Sequence, residues 1–151
     1  MIESRGPWDL GTTESWLADA RIPIRLACNA QDGFPRVVSV WFVYREGMFL
    51  SVSHRNSSLV KLLRASPQVG FEVSPNEPPY HGVRGQGLAE LVTEGAARVL
   101  GEVIDRYLGE GNSNLAQWLM SRAEEEVLIR VTPRRFFSWD YRGRMDPLSA
   151  D

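Results

Sequence analysis

The sequence predicts a mainly-β fold, a small barrel with a few short helices, in one domain covering residues 1–151. Three features predict it. Segments with apolar residues at every second position recur along the chain, as half-buried strands require. Turn pairs of the hairpin kind, Asp32-Gly33 and Glu46-Gly47, separate the first of them. The segment 35–44 is apolar on both faces, which suits a barrel wall with something else packed against it.

Residues 1–11 contain Gly6 and Pro7 and read as an N-terminal arm. Thr12-Thr13-Glu14-Ser15 offers a helix cap, and Trp16, Leu17 and Ala20 form the buried stripe of a helix ending near Ala20. Ile22, Ile24, Leu26 and Cys28 then alternate with Pro23, Arg25, Ala27 and Asn29, a strand signal. The second strand runs from Pro35 to Tyr44, with Val38, Val40 and Phe42 on one face and Val37, Trp41 and Val43 on the other. Met48 to Ser53 is a third strand, and Ser57-Ser58 opens a helix that ends near Ala65, before Pro67.

Val69, Phe71 and Val73 mark a fourth strand from Gln68 to Ser74, followed by a proline-rich loop, 75–79. His81 to Val92 is the fifth, and its Gly82, Gly85 and Gly87 signal a bulge or the close approach of another group. Thr93 to Tyr107 reads as an amphipathic helix and Ala116 to Arg122 as another. Val127, Ile129 and Val131 give a sixth strand, Phe137, Trp139 and Tyr141 a seventh, and 142–151 a polar tail. The sequence shows no repeat and no linker.

Composition narrows the function. With 151 residues and 43% hydrophobic content, the chain can bury a core of ordinary size. Cys28 is the single cysteine, so no intrachain disulfide holds it. No apolar stretch follows Met1-Ile2-Glu3-Ser4-Arg5, and no run approaches the roughly 18 apolar residues of a membrane helix. A cytoplasmic address without membrane contact is the expectation. The net charge of −2 and the lack of a basic, aromatic strand face argue against a nucleic-acid partner. Five tryptophans and six phenylalanines imply large buried surfaces, an interface among them.

Standard catalytic signatures are missing, and no residue is assigned a catalytic role. His54 and His81 are the only histidines and lack metal-ligand spacing, so no metal site is expected. Gly85-Gln86-Gly87 is part of a dinucleotide fingerprint, but it lies in a strand and opens no helix. The segment Ser53 to Arg64 is more informative. A strand ends, hydrogen-bond donors follow, and a helix starts, whose free N–H groups favour an anion such as phosphate. Ser57 and Ser58 add hydroxyls and Arg55 a charged fork. Ser57, Lys61 and Arg64 share one helix face, opposite Leu59, Leu62 and Leu63. A solvated basic helix gives the same local pattern.

Taken in order, three segments resemble the pyridoxamine 5′-phosphate oxidase-like split barrels: Asp32 to Phe42, Gly47 to Ser51, and Ser57 to Val69. Val83 to Glu90 is similar to that family's glycine-ended strand, and the likeness covers roughly residues 20–141. The resemblance implies a Greek-key split barrel that works as a homodimer, with flavin mononucleotide (FMN), or in one branch a deazaflavin, in a groove between subunits. It implies an oxidoreductase that moves a hydride to or from a small organic substrate, the chemistry being the cofactor's. Val38, Ser39, Val40 and Trp41 match the strand along the ring. Ser51, Ser53, Arg55, Ser57, Ser58 and Lys61 match the positions that serve the ribityl phosphate. One departure stands out: the family's basic residue eight positions before the proline is here Leu59, which cannot pair with phosphate. The alternative function is therefore a non-enzymatic carrier or sensor for flavin, haem or another planar ligand, with His54 or His81 as an axial ligand for haem.

Overall fold

The alternating segments do form strands, and all of them join one curled sheet. In the computed structural model, which describes residues 1–109 and 113–145, the order is β1 (Glu3–Arg5), α1 (Leu10–Asp19), β2 (Ile24–Asn29), β3 (Pro35–Val40), β4 (Val43–Arg45), β5 (Met48–His54) and α2 (Ser58–Ala65). There follow β6 (Gln68–Val73), β7 (His81–Val92), α3 (Ala96–Leu108), α4 (Ser113–Met120), β8 (Glu126–Asp140) and α5 (Arg142–Met145). The strands lie in the order β3-β2-β6-β7-β8-β5-β4. Neighbours on this path pair antiparallel, while β1 runs parallel to β8.

Five expectations change in detail. The strand foreseen over 35–44 is two strands, β3 and β4, at opposite ends of the sheet order. The chain crosses between them at Trp41-Phe42 because Phe42 is fully buried in the main core while Trp41 packs into a second one. The sixth and seventh strands are one, β8: Gln86 pairs with Arg135 and Gly87 with Pro133, so a bulge absorbs Arg134 and the ladder continues past the proline. Part of the arm, Glu3 to Arg5, is a strand. Finally, α1 starts earlier than expected, because the Asp9 carboxylate accepts from the Thr12 amide at 2.7 Å. α4 is likewise displaced, running Ser113–Met120 rather than from Ala116 to Arg122.

The curl encloses an aromatic core. Phe49 packs on Phe42, Phe71 and Phe136 with centroids 4.9–6.2 Å apart, tilted or edge-on, the arrangement that ring quadrupoles favour. Gly85 makes room for it, since a Cβ there would lie 2.0 Å from the Arg135 carbonyl oxygen and 2.6 Å from Phe71. A second core fills the space between the sheet and α3. Val99, Leu100, Val103 and Ile104 bury one helix face against Leu50 and Leu128, each contributing roughly 1.5–3 kcal/mol. β5 serves both cores, with Phe49 in one and Leu50 in the other.

Two polar clips fasten the periphery. The Arg106 guanidinium of α3 donates to the carbonyls of Ala18 (2.6 Å), Leu17 (2.9 Å) and Ala20, and so closes the C-terminal end of α1. Asp140 accepts from the Trp8 indole N–H at 3.1 Å and from the Arg142 guanidinium at 2.6 and 2.9 Å. The Arg142 bonds above all hold the Asp140 carboxyl well below its usual range. Among the described residues no helix is long and apolar enough to cross a membrane.

Arg106→Lys is expected to lower unfolding stability in urea by about 2 kcal/mol, because an ammonium cannot fork onto three carbonyls. For Asp140 the folded pKa lies below the unfolded one, so its contribution is present above the unfolded value of about 3.9 and fades as pH falls below it. Acid titration in stability assays should show this loss, and Asp140→Asn should remove the contribution at neutral pH.

Candidate functional site

β3 is an end strand of the sheet: it pairs with β2 on one side and, among the described residues, has no strand on the other. The N–H and C=O groups of its second edge are therefore available to another planar, hydrogen-bonding group. Its side chains alternate. Val38 and Val40 lean into the main core, whereas Val37 and Ser39 are exposed. Trp41, just beyond the strand, stacks almost parallel (6°) on Tyr107 of α3 at 5.3 Å. The Tyr107 hydroxyl donates to the Ile22 carbonyl at 2.9 Å and accepts from the Phe42 amide at 3.3 Å. Burial raises the Tyr107 pKa, so this hydroxyl stays protonated and keeps the crossover after β3 in position.

A hollow of about 460 Å³ opens at the start of β3, between the β2–β3 hairpin and α2. Arg36, Asp32, Asn29, Ser58 and Lys61 line it. Arg36 and Asp32 form an exposed ion pair at 3.3 Å, so the hollow carries two cations against one carboxylate. The Asp32 carboxyl is held below its ordinary value, chiefly by the Phe34 amide. α2 begins beside it. Ser57 caps the helix by accepting from the Val60 amide at 3.1 Å, and the Lys61 amide bonds the Ser57 carbonyl. The amides of Ser58 and Leu59 are left for other acceptors.

The residues singled out from the sequence thus divide into groups. Ser58 and Lys61 face one hollow and are joined there by Arg36, which the sequence reading passed over. Its signal was present: Arg36 follows the Asp-Gly-Phe-Pro turn, and two-residue alternation sets it opposite Val37. Ser53 donates to the Ser57 hydroxyl at 2.8 Å, so both serines also have structural duties. Ser51 is buried in β5. Arg55 lies elsewhere, in a hollow of about 330 Å³ with Arg98 and Glu124 to Glu126. Leu59 is only 3% exposed, packed in the main core with Leu63. A lysine here would bury an unpaired charge, which gives the departure from the family pattern a packing reason. His54 is occupied: Nδ1 accepts from the Asn56 amide at 3.1 Å and Nε2 lies 3.2 Å from Glu125. His81 contacts the Pro79 carbonyl through Nδ1 and packs beside Trp8 and Trp16. Among the described residues no cluster of three or more His, Cys, Asp or Glu could hold a metal.

No protein-family model and no curated protein matches the sequence. Solved structures do match it in fold. A conserved hypothetical protein of Mycobacterium tuberculosis is 24% identical, with a TM-score of 0.76 over 90% of this chain and 87% of that one. An F420 reductase is 24% identical, with a TM-score of 0.66 over 87% and 98%. The haem storage protein HutZ of Vibrio cholerae is 19% identical, with a TM-score of 0.64 over 82% and 89%. At these identities the likeness establishes architecture, and the chain has the split β-barrel fold that its resemblance to the pyridoxamine 5′-phosphate oxidase-like proteins implied.

Proposed function

We propose that the protein is an oxidoreductase that binds FMN or a deazaflavin and acts on a small organic substrate. One observation carries the reading: a cationic hollow and an unpaired strand edge meet on the same strand, β3. A cofactor with an anionic tail and a flat, hydrogen-bonding ring needs both. The tail would pair with Arg36 and Lys61 and accept from the Ser58 hydroxyl, and charge-assisted bonds of this kind are the strong ones. The ring would lie along Val38 to Val40, against the end formed by Trp41. When bound, such a cofactor supplies hydride transfer. The chain's own residues then orient it: Tyr107 braces Trp41, and the Ser53–Ser57 bond holds the start of α2. An F420 reductase shares the fold, which supports a deazaflavin as well as FMN.

Arg55 is left out of the tail site on this reading, since it lines a separate hollow. Homodimerisation is part of the proposal: Val37 and Phe34 are 69% and 72% exposed beside the groove, apolar surface that a second copy would cover. A cytoplasmic address goes with it.

The burial of Leu59 favours a second reading, a carrier or sensor that holds flavin without turnover, because the anion site lacks the family's basic residue at that position. His54 is a poor candidate for an axial haem ligand, because both of its ring nitrogens are engaged.

Titration with FMN, followed by flavin fluorescence, should show saturable binding. Arg36→Ala and Lys61→Ala should each weaken it about tenfold, and Arg55→Ala should leave it unchanged. Equal affinity in all four proteins would sink the tail assignment. A bound flavin that no reductant or substrate reduces would favour the carrier. Light scattering should give twice the chain mass at micromolar concentration, and a monomer would count against the dimer.

A further inference from the structure

Of the 17 lysines and arginines in the chain, only Lys61 is a lysine. It stands on α2 at the hollow of about 460 Å³ that Arg36 and Ser58 also line. An arginine there would pair with an anion at least as well, since its fork presents two donors in one plane. An amine has a property that a guanidinium lacks: once it gives up a proton it is a nucleophile. The one amine side chain of the protein thus lies beside its candidate anion site.

The surroundings leave this amine uncommitted. Lys61 is exposed, and its side chain makes no ion pair or hydrogen bond among the described residues. The same holds for the Ser58 hydroxyl. Three residues apart on a helix, the two side chains are neighbours on one face. Leu59, Val60 and Leu63 are buried on the other side of α2 and fix its rotation. Across the hollow, Arg36 commits Nη2 to Asp32 at 3.3 Å, and its remaining N–H groups are left to donate. Asp32 is the one carboxylate lining the hollow, and it is paired with Arg36, not with Lys61. Arg36 and Val37 are consecutive in β3, so they point to opposite faces of the strand. Val37 stands on the outer face of the sheet, over a second hollow of about 540 Å³ floored by Ala27 and Gly70. The hollow at Lys61 therefore lies across the strand from the Val37 surface that a second copy would cover.

We propose that Lys61 is a self-acylation site for small acyl phosphates that bind in this hollow. The phosphate accepts from Arg36 and from the Ser58 hydroxyl, which leaves the acyl carbon within reach of the Lys61 Nζ. The neutral amine attacks that carbon, an N–C bond forms, and the C–O bond to phosphate breaks. The amine proton leaves with the phosphate, so the products are an acylated lysine and inorganic phosphate. No oxidant or reductant is needed. As the C–O bond breaks, negative charge gathers on the phosphate, where Arg36 and Ser58 already donate. Holding both reactants in one hollow adds proximity. These donors assist only a phosphate that is the leaving group, which favours an acyl phosphate over a phosphorylated aldehyde. The product amide is uncharged, so the hollow loses one of its two cations. On the flavin reading, which shares this hollow but which this inference does not require, acylation lowers cofactor affinity.

The test is incubation of the full chain with acetyl phosphate, with acetylation of Lys61 followed by peptide mass spectrometry. Nα-acetyl-lysine, a free amine of the same chemistry, serves as the reference. The Lys61 rate should saturate at about 1–10 mM acetyl phosphate and exceed the reference about tenfold. Inorganic phosphate in excess should bring it down to the reference rate. Arg36→Gln, checked for an unchanged circular dichroism spectrum, should slow it about tenfold. A wild-type rate that rises linearly with acetyl phosphate, matches the free amine and ignores phosphate overturns the proposal without need of any variant. FMN in place of phosphate protects Lys61 only if the flavin reading holds, whereas phosphate protects it either way, so the two failures are told apart.

Discussion

The β7–β8 ribbon bends where two glycines lie against backbone. Side chains at Gly85 and Gly87 would strike the carbonyls of Arg135 and Thr132 at 2.0 and 2.6 Å, and between them the register slips by one residue. Closeness at these two points lets a long two-stranded ribbon curl, because bulges increase local twist and bend the strand that carries them. Everything else hangs from that curl. β6 and β2 extend the ribbon on one side, β5 and β4 on the other, and the four phenylalanines meet inside. Without the bend the aromatic side chains would face a flat sheet and find too little surface to bury themselves against.

The curl also explains why the two hollows exist. An open sheet has ends, and β3 forms one of them. The crossover at Trp41-Phe42 carries the chain away before β3 can gain a second neighbour, and Phe42 in the core together with Tyr107 from α3 keeps that path in place. The free edge is thus a product of core packing. The outer-face hollow has a different origin, in the small residues Ala27 and Gly70 set side by side by register.

α2 illustrates the competition between packing and ligand binding. Its eight residues are held by Leu59, Val60 and Leu63, all nearly fully buried, which sets the rotation of the helix. Once that rotation is set, Ser58 and Lys61 must face the β2–β3 hairpin, and Arg36 meets them there. Leu59 belongs to the packing side of the division, where an apolar side chain gains core contact and a basic one would not. Arg55 falls outside because it precedes the helix, where its amide is bound by the Glu125 carbonyl at 2.8 Å and the chain points toward α3.

The mainly-β class, the hairpin turns, the Ser57 cap and the glycine-marked strand were legible in the amino-acid sequence. All are local: side-chain period, turn chemistry and capping act within a few residues. Only the tertiary structure decided the rest. That β8 runs unbroken through Pro133 depends on a bulge shared with β7. That Glu3 to Arg5 is a strand depends on an edge of β8, 132 residues away in the chain. Arg36 was visible as a charge after a turn, but its meeting with Lys61 depends on how α2 rolls onto the core. Arg25 and Arg84 lie 59 residues apart in sequence and share one face of the sheet only through β6 between them. Periodicity tells which residues share a face of one strand, and only register tells which faces of different strands come together.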